Sequence, residues 1–436
     1  MTDTCPEYAY CLKDFLSLQK FGIKFGLSST SALLQRLGHP EQGQRFVHIA
    51  GTNGKGSVAA FLSAILQAAG LKVGLYTSPH LVRFTERFQI NGQEMSQHEA
   101  ASLMRTVQSA WDQREPPTFF EAVTAMGLVY FAQEKTDIAI METGMGGRLD
   151  ATNVITPLMS IITSISMEHQ EYLGSTLLQV AEEKAGIIKP HVPLLTGVSQ
   201  PKILDLLQTR CREKKAPLYR LGRDMQARVF GQRLFYHGLH TTLKDLSLGL
   251  PGRHQGRNAA LALAASELLH SQGFTVTDEA RQTGVAKTIW PGRMHIISNR
   301  PMIMLDGAHN PAAIKALARS LQENPTHKRL ILVLGIMADK AAKPILRAIL
   351  PLADQVIFTR PVYERAMDPE HLRSQAHDMP QEHEVIPSLP KALEAAQAAA
   401  DPEDLIVITG SLFTVGEALS CLDPVNWPPD PEAEYL

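Results

Sequence analysis

Cysteine is scarce: Cys5, Cys11, Cys211 and Cys421 are the only four in 436 residues. They show neither the paired spacing of a metal site nor the density of a disulfide scaffold, so reduced thiols are the expectation. A charge excess is also missing, since 42 Lys and Arg stand against 44 Asp and Glu for a formal net charge of −2. Proteins that track nucleic-acid phosphates carry a clear basic excess, so no nucleic-acid partner is expected; a small anion needs only a local cluster of cations. No apolar run approaches the roughly 18 residues that span a bilayer. The opening MTDTCPEYAYCLKD lacks a basic start followed by an apolar stretch, and there is no internal repeat or low-complexity tract. These absences predict a cytoplasmic protein without a membrane partner.

What is present is a balanced composition, 44% hydrophobic and 20% charged, on a chain long enough for two domains. FVHIA (46–50) reads as a buried strand, and apolar residues at Val58, Phe61, Leu62, Ile65, Leu66 and Ala69 form one face of a helix ended by Gly70. Further strands are expected at 72–78, 137–142, 158–165 and 192–197, with helices over 119–134 and 176–187. The alternation implies an α/β fold with a mostly parallel sheet. Short β-like pieces over 218–250 suggest a small antiparallel insert, followed by a helix from Asn258 to about Leu269. WPGR (290–293) breaks the pattern, placing a boundary between domains 1–289 and 290–436. The second domain restarts the alternation with strands at 302–306, 329–335, 355–359 and 405–409 and helices at 311–321 and near 341–350, a doubly wound α/β unit. The Pro-rich, acidic tail DPVNWPPDPEAEYL is expected to be loosely ordered.

Between the first strand and its helix lies GTNGKGS (51–57). Backbone N–H groups at the start of a helix, with Lys55 as a mobile charge, make a phosphate site, which predicts ATP-binding roles for Thr52, Asn53, Gly54, Lys55, Gly56 and Ser57. A bare Gly-rich turn is the plainer alternative. The spacing departs from the common phosphate loop: two residues separate Gly51 from Gly54, and Gly56 stands where a metal-binding hydroxyl is usual.

GTNGKGS, YTSPHLVRFTER (76–87), METGMGGRLDATN (141–153), EEKAGIIKP (182–190), PGRMHII (291–297) and LDGAHNPAA (305–313) together resemble the folylpolyglutamate synthase and dihydrofolate synthase family of the Mur ligase group. The resemblance runs in order through nearly the whole chain. It implies a P-loop ATPase-like first domain and a ligase domain, working as an ATP-dependent enzyme that joins L-glutamate to dihydropteroate or to reduced folates.

It also implies where the metal hydroxyl has gone. Ser78 would take that place, with Glu142 and His169 completing a Mg²⁺ site. Glu142 ends a buried strand, where ligand-binding groups of parallel sheets gather, and oxygen suits Mg²⁺. His169 suits a softer metal, and by residue type alone it reads more readily as an ordinary polar histidine. The family usually has Asp before this His; here it is Glu168. Lys184 aligns with a lysine that carries a carbamate in related ligases, which needs a depressed amine pKa; by composition it is also a plain helix lysine beside Glu182 and Glu183. Asn258, Arg293 and Asp306 match nucleotide-binding positions. His309 and Asn310 fit either that site or a helix cap before Pro311.

For the pterin, the resemblance points to Gly26 and Leu27 in KFGL, to Thr118, Phe119, Phe120 and Glu121, and to Leu149, Asp150 and Ala151. Phe119 and Phe120 could stack on a heterocycle or pack in the core. The catalytic set implied is Lys55, Lys184 and His169. Competing readings are a UDP-muramoyl Mur ligase, a P-loop small-molecule kinase and a nucleotide-operated scaffold. A monomer is expected from the size of the two cores.

Overall fold

The computed structural model describes residues 5–22, 24, 26–323, 327–377 and 382–431. Phe25 of KFGL and the last five residues of the tail lie outside the described residues. Contacts divide the chain into two compact units, one formed by Met1–His80, Thr85–Gly249 and Arg253–Ile289, the other by Leu81–Phe84, Leu250–Gly252 and Trp290–Leu436.

The first unit is built on eight strands: β1 (Phe46–Ala50), β2 (Val73–Tyr76), β3 (Phe88–Ile90), β4 (Gln93–Glu94), β5 (Ile138–Glu142), β6 (Met159–Ile162), β7 (Leu194–Thr196) and β8 (Leu218–Arg220). Their order is β4-β3-β2-β5-β1-β6-β7-β8. From β2 to β8 every pairing is parallel; β3 and β4 add an antiparallel edge. β1 and β5 are buried at every residue, as strands covered on both faces must be. The helix Lys55–Ala68 is apolar nearly all round and returns the chain from β1 toward β2. Capping boxes start the helices Phe119–Gln133 and Leu177–Ala185, the first through Thr118 and Glu121, the second through Thr176 and Gln179.

The antiparallel insert is smaller than expected. Leu218–Arg220 joins the main sheet beside β7, and the separate three-stranded sheet consists of β9 (Gln226–Phe230), β10 (Arg233–His237) and β11 (Thr242–Ser247). The following helix begins at Arg253, five residues before Asn258.

The second unit holds β12 (His295–Asn299), β13 (Met302–Asp306), β14 (Leu330–Leu334), β15 (Gln355–Arg360), β16 (Glu382–Ser388) and β17 (Leu405–Thr409), ordered β12-β13-β17-β14-β15-β16. Only β12 runs antiparallel, and apolar clusters cover both faces of the sheet. As far as it is described, the tail is tied down, contrary to expectation. Asp430 is buried and accepts the Phe84 N–H at 2.6 Å, and the Arg83 guanidinium lies 5.0 Å from the Trp427 ring centroid. A carboxylate that satisfies a buried amide and a ring that covers a cation outweigh the tail's polar composition. Among the described residues no helix is long and apolar enough to cross a membrane.

Candidate active site

Three neighbouring strands, β5, β1 and β6, end side by side at the centre of the first sheet. Side chains beyond the carboxyl ends of parallel strands are the usual ligand-facing groups of such sheets. β1 runs straight into the Gly-rich loop, where Gly51 and Gly54 take positive φ of 149° and 90°. The loop is fastened to residues 163–166 that follow β6. The Thr52 N–H donates to the Ser164 carbonyl at 2.8 Å, and the Asn53 N–H to Ser164 Oγ at 3.0 Å. Thr163 Oγ1 and Ser164 Oγ donate to the Asn53 carbonyl at 2.7 and 2.9 Å. Thr52 Oγ1 exchanges hydrogen bonds with Ser166 at 3.1 Å in both directions.

These bonds divide the loop's work. The amides of Thr52 and Asn53 are committed to holding its shape, so the N–H groups available to an anion are those at the start of the helix Lys55–Ala68, which have no intrahelical partner. A Cβ on Gly54 would stand 2.6 Å from Asn258 Oδ1, so Asn258 packs directly on the loop. Asn258 in turn donates to Gln255 at 2.8 Å. Lys55 Nζ rests 3.1 Å from the Gly51 carbonyl and 3.9 Å from Glu142 Oε1. Ser57 is buried in the helix.

Glu142 is the last residue of β5, and Tyr76 pairs with Met141, so the chain leaving β2 toward Ser78 starts level with it. Ser78 is partly exposed. His169 is exposed, at φ 41°, before the short helix Gln170–Leu173. Among the described residues no three His, Cys, Asp or Glu side chains form a ready metal cage. One carboxylate and one hydroxyl nevertheless suit Mg²⁺, which keeps waters and takes its remaining ligands from a nucleotide's phosphates.

Lys184 is 1% exposed, and its Nζ lies 2.5 Å from Glu168 Oε1. Burial pushes the ammonium below its ordinary pKa and the charge of Lys55 adds to this, while Glu168 opposes it. Burial would raise the Glu168 carboxyl, but Lys184 and Lys55 more than reverse that and leave it below its usual value. The extra methylene of Glu168 thus has a visible use: it reaches Lys184. Lys55, Glu142, Glu168 and Lys184 form one electrostatic group, a feature hidden in the sequence because its members come from four separate segments.

The turn after β5 closes against this group. Backbones meet at Gly186, where a Cβ would lie 2.3 Å from Arg148 Cα. Asn153 Nδ2 bridges the Arg148 and Gly186 carbonyls at 3.0 and 3.1 Å, and Lys189 Nζ donates to the Asn153 carbonyl at 2.8 Å. Asp150 is buried and its oxygens accept the Thr152 N–H (3.1 Å), Thr152 Oγ1 (2.5 Å) and Met145 N–H (2.8 Å). Its carboxyl is pushed up by burial and held back by these donors. Asp150 therefore shapes the turn. Leu149 is partly exposed beside it and Ala151 is buried.

The pair of phenylalanines divides in the same way. The Phe120 ring lies against Gly144, where a Cβ would be 2.4 Å from Cζ, and 6.3 Å from the Tyr76 ring. Phe119 carries the Arg87 guanidinium at 5.5 Å, and Arg87 Nε donates to His80 Nδ1 at 2.9 Å. Both rings keep partial exposure, whereas Thr118 and Glu121 are buried in the capping box, with Glu121 Oε2 accepting the Thr118 N–H at 2.7 Å. Gly26 and Leu27 precede the helix Ser28–Arg36, whose Thr30 donates to Glu121 at 3.5 Å.

In the second unit, Arg293 and Asp306 come together. A Cβ on Gly307 would stand 2.7 Å from Arg293 Nη1, and Asp306 accepts the Met294 and Ala308 N–H groups at 2.9 and 3.0 Å. Asn310 Oδ1 accepts the Ala313 N–H at 2.9 Å, the helix-cap alternative. His309 Nδ1 lies 2.9 Å from the Gly307 carbonyl and donates to it. Sequence reading missed residues 163–166 and the pair His48 and Thr152; a hydroxyl-rich TSIS directly after a strand was the available signal.

The glycine-rich loop at the centre of a parallel sheet and the second α/β unit coincide with the two domains of the ATP-dependent Mur ligases, and it is the family models that assign the chain to that class. Residues 49–266 match the Mur ligase middle domain and residues 292–412 the Mur ligase glutamate ligase domain. The chain is 35% identical over 410 residues to the dihydrofolate synthase/folylpolyglutamate synthase of Bacillus subtilis, covering 91% of this chain and 95% of that one. The Escherichia coli protein of the same name is 34% identical over 422 residues, covering 96% and 97%. Among solved structures, Escherichia coli FolC in complex with DHPP and ADP superposes with a TM-score of 0.88 at 34% identity, over 97% of this chain and 100% of that one. Mycobacterium tuberculosis folylpolyglutamate synthase complexed with ADP gives 0.89 at 34%, over 95% and 99%. The chain belongs to the dihydrofolate synthase/folylpolyglutamate synthase family.

Proposed function

We propose that this ATP-dependent ligase joins the amine of L-glutamate to the carboxylate of dihydropteroate, of reduced folates, or of both. The observation that carries the reading is the cluster of Lys55, Glu142, Glu168 and Lys184 by the carboxyl ends of the central strands, on a chain that matches 95% of the Bacillus subtilis dihydrofolate synthase/folylpolyglutamate synthase. The acceptor carboxylate attacks the γ-phosphorus of ATP to give an acyl phosphate and ADP; the glutamate amine then displaces phosphate through a tetrahedral intermediate. Lys55 and the first helical amides stabilise charge on the transferred phosphoryl group, and the site holds the two anionic substrates side by side.

Ser78, Glu142 and His169 are the residues that would hold Mg²⁺, which supplies charge neutralisation at the phosphates. Lys184 would carry the carbamate; its burial and lowered pKa suit an amine that reacts when neutral. Asn258, packed against Gly54 of the loop, is a candidate for the nucleotide base, and Arg293 and Asp306 are further candidate nucleotide-binding residues. Phe119, Phe120, Leu149 and Ala151 line the pterin site with Gly26 and Leu27, while Thr118, Glu121 and Asp150 act by holding that wall in shape. The protein works as a cytoplasmic monomer.

The test is ADP release with Mg²⁺, ATP and L-glutamate, run with dihydropteroate and with a reduced folate, with product masses recorded. Addition of one glutamate to both acceptors establishes both activities, and addition to one names which is present. If neither acceptor stimulates ADP release, the reading falls and a UDP-muramoyl acceptor is tried next.

A further inference from the structure

His48 is the third residue of β1 and fully buried among Phe46, Val47, Ile49 and Ala50. An imidazole in the middle of an apolar central strand is costly unless its polar atoms are partnered. Its Nε2 lies 2.8 Å from Thr152 Oγ1, and Thr152 Oγ1 lies 2.5 Å from Asp150 Oδ1. The Asp150 carboxylate, which accepts two backbone N–H groups as well, takes the single hydroxyl proton of Thr152. The oxygen of Thr152 must then accept from His48, which fixes the proton on Nε2. Nδ1 has no partner among the described residues, as suits a bare acceptor nitrogen better than an N–H donor.

The chain of hydrogen bonds continues beyond Asp150. Its Oδ2 accepts the Met145 N–H, and Gly144, next in the chain, is the residue against which the Phe120 ring lies. The Gly-rich loop also hangs from β1, but by a separate set of bonds to residues 163–166 on the β6 side. One strand thus supports two walls through independent contacts.

We infer that His48 is a positioning residue for the acceptor half of the reaction: through Thr152 it holds Asp150, and with it the turn 144–150 on which Phe120 rests. The inference rests on the proposed pterin site and deepens it. It separates the two substrates, since loss of the His48 donor loosens the acceptor wall and leaves the nucleotide loop anchored.

The experiment compares His48→Leu, which removes the donor, with His48→Gln, which keeps an N–H at similar reach. Binding of ADP and of dihydropteroate or a reduced folate is followed by calorimetry, with KM for each substrate and thermal unfolding alongside. His48→Leu is expected to weaken acceptor binding and raise its KM about ten-fold, the worth of one hydrogen bond to a charged network, with ADP binding unchanged. His48→Gln restores most of this. Equal losses for acceptor and nucleotide, or equal losses in both variants, would make His48 a strut for the whole unit and overturn the inference. Unchanged acceptor binding in His48→Leu, with a wild type that binds the acceptor, overturns it alone. A wild type that binds neither acceptor overturns the reading of the reaction and this inference with it.

Discussion

Lys55 and Lys184 lie in one field, and their surroundings assign them different behaviour. Lys55 reaches two oxygens, the Gly51 carbonyl and Glu142, and is free to trade both for a phosphate. Lys55→Ala is expected to abolish ADP formation while the thermal midpoint stays near wild type; unchanged ADP formation would remove the loop from the mechanism. Lys184 is sealed against Glu168. In protein whose Lys184 is unmodified, Glu168→Gln leaves a buried cation without its counter-charge and is expected to cost about 3 kcal/mol of stability at neutral pH by denaturant unfolding.

His48 gives a pH signature. Burial, aided by the charge of Lys189, lowers its pKa from 6.5 to about 3. Between those values the unfolded chain binds a proton that the folded chain refuses, so stability rises with pH across the window and is lost as pH falls through it. The loss is on the order of 4 kcal/mol from pH 6.5 down to about 3. His48→Gln should flatten that part of the unfolding curve; an unaltered acid limb in the variant would refute the assignment.

At the scale of elements, the buried strands were legible. FVHIA, DIAIME and LIVIT are short, mostly apolar runs rich in branched residues, the pattern of buried parallel strands, and β1, β5 and β17 are buried throughout. The strands that escaped notice are β3, β4, β12 and β16, at or near sheet edges, which are either only two or three residues long or too rich in polar residues to stand out as apolar runs. The loop itself was legible through its glycines and Lys55, but its anchorage was not: hydroxyls of residues 163–166 carry no pattern until the strand β6 brings them to the loop. Glu168 was noticed only as a departure from a family pattern; its partner, sixteen residues on, became visible when the chain folded. Thr163→Val tests the anchorage. Losing the 2.7 Å bond to the Asn53 carbonyl should raise the KM for ATP about ten-fold and leave the KM for acceptor unchanged.

At the scale of the whole molecule, each unit has its own sheet and core, and a short piece of chain belongs with the more distant one. Leu81–Phe84 leaves the first unit directly after His80 and is counted in the second, where Val82 joins an apolar cluster with Val415, Ala418 and Leu419. Asp430 fixes this segment by accepting the Phe84 N–H. Asp430→Ala would remove the carboxylate that this buried amide donates to and is expected to lower stability by about 1 to 3 kcal/mol, read as an earlier thermal transition. The segment also decides how the protein comes apart. A protease that cut the connection at 289/290 would release neither half, because the first fragment still carries a strip of the second fragment's core. The nicked chain should elute as one species on a sizing column until denaturant is added. A gene divided at the same point should give an aggregation-prone second half, recovered in soluble form only when both pieces are made together.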